Sequence, residues 1–169
     1  MLVSRASIED IPEMVNLMNS AYRGEGSRRG WTTEADMVDG DLRTDEDHLK
    51  ELMAVPAVRF LKATNENNGI EGCVFLQKRE GKLYLGMLSV SPTLQARGIG
   101  KKLMAAAEEY ARQENCPSVF MRVISIRDEL IAWYERQGYT KTGELQPFED
   151  SKFGKASKPI EFVLMQKDL

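Results

Sequence analysis

Apolar positions along the 169-residue chain change period several times, and each change marks an element. Leu2 to Ala6 reads as a short strand. Ile11, Met14, Val15 and Met18 then share one face of a helix predicted over about Ile8–Tyr22, with Ser7 as its cap and Pro12 in its first turn. Arg23 to Gly30 is too rich in glycine and charge for an element and reads as a loop able to order around a ligand. Helical stretches are expected from near Thr33 and near Asp45, the second capped by Thr44 in the capping-box-like run Thr44-Asp45-Glu46-Asp47. After Pro56 the period shortens. Ala57–Thr64, Gly69–Lys78 and Lys82–Val90 are apolar-rich runs separated by hairpin connections, which predicts a three-stranded antiparallel meander. A helix follows over Gly98–Asn115, with Ile99, Leu103, Ala106, Ala107 and Tyr110 on one face. Next come a strand at Ser118–Ile124 and a helix over Asp128–Gln137 stopped by Gly138, then strands at Tyr139–Leu145 and Ile160–Gln166. The order β-α-α-β-β-β-α-β-α-β-β describes one mixed α/β domain spanning residues 1–169.

Composition narrows this picture without changing it. Hydrophobic residues make up 42% and charged residues 29%, as in an ordinary globular domain. No apolar run approaches the ~20 residues of a membrane span, and the opening MLVSRASIEDIPEM has no apolar signal region. Cys73 and Cys116 form neither a disulfide framework nor a metal-ligand spacing, so the expectation is a cytoplasmic protein with no metal and no membrane partner. A net charge of −3 disfavours general nucleic-acid binding. Charge is unevenly placed, however. From Trp31 to Glu51 eight acids (Glu34, Asp36, Asp39, Asp41, Asp45, Glu46, Asp47, Glu51) face only Arg43 and Lys50, while Arg97, Lys101 and Lys102 form a basic spot. Two ligands of opposite charge would account for this, and so would two solvated helix faces.

The segment most suggestive of chemistry runs from Leu85 to Met104. A strand ends at Val90, Pro92 turns the chain, and Gln95-Ala96-Arg97-Gly98-Ile99-Gly100 leads into a helix. Unpaired N–H groups at a helix start carry partial positive charge, glycines let a diphosphate approach them, and Arg97 and Lys101 add full charges. The P-loop pattern fails, because Gly100 is followed by Lys101-Lys102 and Gln95 stands where the first glycine belongs. The dinucleotide fingerprint fails because Leu103 stands where its third glycine belongs and the preceding strands form a meander. A plain structural turn also explains the two glycines.

The segment Val90-x-Pro-x-x-Gln-x-Arg-Gly-Ile-Gly-Lys-x-Leu resembles the acetyl-CoA-binding motif of the GNAT acetyltransferase superfamily. Ala132-Trp133-Tyr134-Glu135-Arg136-Gln137-Gly138-Tyr139 resembles that family's late helix. The resemblance covers nearly the whole chain and implies a splayed central sheet of about seven strands with helices on both faces, acetyl-CoA entering the V between the fourth and fifth strands. It implies that backbone groups of Leu88 and Val90 bond the pantetheine arm and that N–H groups of Gln95, Ala96, Arg97, Gly98, Ile99, Gly100 and Lys101 hold the pyrophosphate. Tyr134 would stand near the thioester sulfur. The chain departs from the family at Arg127, where many members have an Asn, and at Tyr84, where some carry a glutamate base.

Acetyl transfer needs a neutral amine, a stabilised oxyanion and a protonated leaving thiolate. An alkyl amine of pKa ~10.4 is only about 0.04% neutral at pH 7, a cost of roughly 4.6 kcal/mol, so a base or water chain must take its proton. Glu34, Asp36 and Tyr84 are the candidates, set against surface carboxylates. His48 reads as an exposed helical position. Tyr134 is the candidate acid, set against a core aromatic beside Leu130 and Trp133. The recognition loops are expected at Tyr22–Glu51 and Gln146–Pro159, where the acid run, Tyr22 and Trp31 favour an acceptor with a further positive charge. The expectation is direct acetyl transfer to a primary amine of a small molecule. The alternatives are a protein or peptide acetyltransferase and a catalytically silent acetyl-CoA-binding module. A homodimer is compatible with the sequence.

Overall fold

A computed structural model of the chain describes residues 1–23, 34, 37–40 and 42–169. Nine strands are found among them: β1 (Leu2–Arg5), β2 (Val38–Asp39), β3 (Val58–Thr64), β4 (Ile70–Arg79), β5 (Lys82–Val90), β6 (Ser118–Ile124), β7 (Thr140–Pro147), β8 (Lys155–Ala156) and β9 (Glu161–Asp168). The helices are α1 (Ile11–Tyr22), α2 (Glu46–Met53), α3 (Ile99–Gln113) and α4 (Asp128–Arg136). Seven strands form one sheet in the order β1-β3-β4-β5-β6-β9-β7, and β2 pairs with β8 in a separate ribbon. The expected meander and the alternation of elements are present.

Two apolar layers sandwich the sheet. Ile11, Met14, Met18 and Leu49 from α1 and α2 pack with Phe60, Cys73 and Phe75 on one face. Ile99, Leu103, Ala107 and Ile131 from α3 and α4 pack with Leu61, Val74 and Leu76 on the other. Strand alternation assigns the residues to layers, as in β3, where Phe60 and Leu61 face opposite ways. Close approach of α3 to β4 depends on Gly72, where a Cβ would lie 2.8 Å from Ile99 Cγ2 and 3.1 Å from the Ser89 carbonyl oxygen.

Two irregularities in the sheet position the site. Between β4 and β5 the register passes from Cys73↔Ser89 to Phe75↔Gly86, so Val74 faces two residues, Met87 and Leu88. Met87 takes a left-handed backbone, φ +52°, within this bulge. The extra residue inverts the phase of the strand: Leu83 and Leu85 face the α3–α4 layer before the bulge, and Leu88 and Val90 face it afterwards. The second irregularity is a parting of strands. β5 and β6 run parallel and pair only at Leu83↔Val119 and Tyr84↔Phe120. Beyond that point β6 stays with β9 along its whole length, and the sheet opens into a V.

Several local expectations change. Ile8–Asp10 forms a 3₁₀ turn before α1, with the Ser7 N–H donating to Asp10 Oδ2 at 2.8 Å. The cap of α2 is Asp45 rather than Thr44: its carboxylate accepts the His48 N–H at 2.8 Å, while Thr44 is fully buried. The helix expected near Thr33 falls largely outside the described residues.

Candidate active site

At the start of α3 the backbone builds an anion cradle. Ala96 and Gly98 both take left-handed conformations, φ +70° and +80°. Gly98 caps the helix without any side-chain bond, and the Lys102 N–H reaches back to the Gly98 carbonyl at 3.1 Å. The N–H groups of Ile99, Gly100 and Lys101 therefore precede the helical ladder. A Cβ at Gly98 would meet nothing within 4 Å, so the surface above it is open to a ligand. A Cβ at Gly100 would stand 3.4 Å from the Trp133 ring, so this glycine also makes room for α4. Together with Leu88, Val90, Gln95, Lys101 and Arg136 these residues line a cavity of about 400 Å³. A string of outward N–H groups at a 15-residue helix, flanked by two cationic side chains, fits a diphosphate.

The V between β5 and β6 holds a second cavity, a chamber of about 420 Å³. Leu85–Leu88 and Met121–Ile124 form its sheet walls, α4 contributes Leu130 and Tyr134, and residues 148–151, 153 and 154 close another side. The β2–β8 ribbon ties that last segment to the stretch after Glu34. Leu88 and Leu130 line both cavities, so cradle and chamber meet there. The Tyr22 hydroxyl donates to the Leu88 carbonyl at 2.8 Å, and Gln95 Nε2 donates to the Val90 carbonyl at 3.2 Å. Each carbonyl keeps a second acceptor position.

Charge in the chamber is arranged around Glu34. Its two oxygens accept from Arg23 Nε at 3.0 Å and Arg127 Nη1 at 3.2 Å, and all three side chains are buried. Arg23 also donates to the carbonyls of Leu42 and Phe153, joining two chamber walls. Arg43 and Arg127 lie 5.6 and 5.9 Å from the centre of the Tyr22 ring. Burial, then the Glu34 charge, pushes the Tyr22 hydroxyl up to about 12. Burial likewise drives the Tyr134 hydroxyl well above its ordinary range, so it stays protonated. His48 stacks on Phe153 at 4.8 Å and shares a 2.8 Å hydrogen bond between Nδ1 and Thr44 Oγ1. Burial and the Arg43 charge lower its pKa, keeping the imidazole neutral near pH 7.

Most residues singled out in the sequence come together here. Tyr22, Glu34, Tyr84 and Tyr134 line the chamber, and Leu88, Val90, Gln95, Ala96, Gly98, Ile99, Gly100 and Lys101 line the cradle. Trp31 and Asp36 lie outside the described residues. Three readings change. Arg97 is exposed and outside the cradle lining, while Arg136, one helical turn beyond Trp133, takes a place in it. Arg127, where the chain departs from the family, donates to Glu34. Glu34 is neither a surface carboxylate nor a free base, since guanidinium groups hold both its oxygens. His48 is half-buried in the chamber wall rather than exposed. Cys73 and Cys116 are buried and line neither cavity, and burial pushes Cys73 up to about 12.

Comparison with known proteins accords with this geometry. The model of the acetyltransferase (GNAT) family matches residues 12–139. The acetyltransferase Atu2258 of Agrobacterium fabrum (strain C58 / ATCC 33970) is 32% identical over 88 residues, 52% of this chain and 63% of that protein, so the match spans less than two thirds of the relative's length. The ribosomal-protein-alanine N-acetyltransferase from Brucella melitensis shares the fold at 20% identity with a TM-score of 0.73, covering 100% of both chains. A Bacillus anthracis str. Ames acetyltransferase solved in complex with acetyl coenzyme A superposes at 19% identity with a TM-score of 0.60, over 71% of this chain and 67% of that one.

Proposed function

Because the chain belongs to the acetyltransferase (GNAT) family, we propose that it is an acetyl-CoA-dependent N-acetyltransferase passing acetyl directly to a primary amine of a small molecule. The observation that carries this reading is the junction at Leu88 and Leu130, the lining shared by cradle and chamber. When bound, acetyl-CoA supplies an acyl group activated as a thioester. Its diphosphate suits the N–H groups of Ile99, Gly100 and Lys101, and Lys101 and Arg136 supply the neighbouring positive charge.

The remaining roles belong to the chamber. Tyr134 donates its hydroxyl proton toward the leaving sulfur. Its raised pKa keeps that proton in place at any working pH, and burial raises the basicity of a thiolate beside it as well. His48 is a neutral imidazole whose ring is fixed by Thr44 and Phe153, which suits it to accept the amine's proton directly or through water. Tyr22 fixes the Leu88 carbonyl at the strand edge where the two ligands meet. With both thiols outside the cavities, an acetyl-cysteine intermediate has no support, which favours direct transfer.

A chamber of about 420 Å³ walled by residues 148–151, 153 and 154 favours a compact acceptor. A second reading, acetylation of a protein N-terminus, draws on the shared fold with an enzyme named for ribosomal-protein alanine. Incubating the protein with acetyl-CoA and a panel of small amines and free-N-terminus peptides tests these readings, with mass spectrometry identifying the acetylated member. Small amines are expected to dominate. Preference for peptides would favour the second reading, and donor binding without any product would mark a silent module.

A further inference from the structure

Resting on that reading, we infer that the acceptor amine also carries an anionic group, a carboxylate or comparable oxyanion, held by Arg43 beside Tyr22. The acid-rich stretch from Trp31 to Glu51 suggests a cationic acceptor, but Glu34, Asp45, Glu46, Asp47 and Glu51 do not serve one. Glu34 has both oxygens held by buried guanidinium groups. Asp45 caps α2 and pairs with Lys152 at 3.4 Å. Glu46, Asp47 and Glu51 are exposed on α2 and absent from the chamber lining.

Arg43 is a cation of the chamber available to bind a ligand. It is half-buried, lines the chamber, and has its guanidinium over the Tyr22 ring with no carboxylate partner among the described residues. A partly desolvated guanidinium is stabilised by an oxyanion, which it can grip through two parallel N–H bonds. The other charges facing the chamber do not cancel this preference. Glu149 and Asp150 are exposed, Asp150 Oδ1 already accepts the Ala156 N–H at 2.9 Å, and Arg122 lines the same chamber. His48, whose pKa burial and the Arg43 charge lower, is neutral near pH 7.

Position sets how far the anion stands from the reacting nitrogen. Arg43 lies 5.6 Å from the Tyr22 ring centre, and the hydroxyl of that ring is 2.8 Å from the Leu88 carbonyl at the junction. One tyrosine side chain therefore separates the anion site from the point of transfer. Amines with an acid group a few bonds from the nitrogen, such as α-, β- and γ-amino acids or aminoalkylphosphonates, match this separation. A diamine would place its second charge against a guanidinium, a repulsion that works as specificity.

The test compares such acids with their primary amides and with 1,4-diaminobutane, following acetylated product, while calorimetry measures acetyl-CoA binding. The acids should exceed their amides in kcat/KM by about tenfold or more, the factor expected from a hydrogen bond to a charged group. Arg43→Gln should bring the two within about threefold by raising KM for the acids alone, with acetyl-CoA affinity unchanged. Arg43→Lys should recover part of the preference. Amides or the diamine used as well as the acids, or acetyl-CoA binding with no acid acetylated, overturns the inference and leaves the donor assignment standing. Absence of acetyl-CoA binding removes both.

Discussion

Replacing Glu34 by Gln keeps the shape of the side chain and removes its charge from between two buried guanidinium groups. The side chains of Arg23, Glu34 and Arg127 are only 4%, 9% and 5% exposed, so water cannot take over the lost counter-charge. Removing one partner of such a pair costs roughly 3–5 kcal/mol, because the remaining charge stays buried without compensation. Gln retains one oxygen acceptor, which places the expected loss near the lower figure, about 3 kcal/mol. For a domain of this length each kcal/mol moves Tm by roughly 2–4 °C, so Tm should fall by about 6–12 °C. Circular dichroism during heating, with urea unfolding as a second route to the free energy, reads this directly. Because the cluster is shielded from solvent, the loss should change little between low and high salt. Adding Arg127→Met to Glu34→Gln should cost less than the sum of the single changes, since both act on the same pair. A Tm within about 2 °C of wild type, or strictly additive losses, would refute the buried-triad argument.

Tyr134→Phe keeps the ring packing and removes a proton donor. It should lower kcat by roughly 10²–10⁴-fold with donor affinity nearly intact; a change within about threefold would make Tyr134 a packing residue. Gly100→Glu sets a carboxylate beside the diphosphate cradle, with its Cβ about as close to Trp133 as ordinary contact allows, 3.4 Å. Acetyl-CoA binding should disappear by calorimetry while unfolding remains cooperative, and unchanged affinity in the folded variant would remove the cradle assignment. His48 accepts a proton only when neutral, and its pKa lies below the ordinary 6.5, so kcat should hold above that value and fall as pH drops through the lowered one. His48→Gln should abolish that acidic limb, and an unaltered limb would assign the base elsewhere.

Element order and the cradle were legible because their signals are local. Period changes delimit β3, β4 and β5, Gly138 closes α4, and the run from Gln95 to Gly100 announces a helix start open to anions. The bulge at Met87 was not legible, since a left-handed methionine has no marker of composition, yet it turns Leu88 and Val90 toward the cradle. The chamber's electrostatics were misread for a related reason. Glu34 stands in an acidic stretch, but its partners lie 11 residues before it and 93 after it, a distance that no helical or strand spacing reveals. His48 was obscured likewise, because Phe153, which stacks on it, belongs to the far recognition loop. Arg136 had a fainter signal, three residues beyond Trp133 on the helix face that borders the cradle.

Direct transfer across the Leu88 junction is most immediately tested by initial velocities measured while acetyl-CoA and an accepted amine are varied together. Direct transfer requires both ligands to be present at once, so the double-reciprocal lines should intersect, and protein recovered after incubation with acetyl-CoA alone should carry no acetyl group. Parallel lines, together with an acetylated protein by mass spectrometry, would show the acetyl group resting on the chain and would contradict the account.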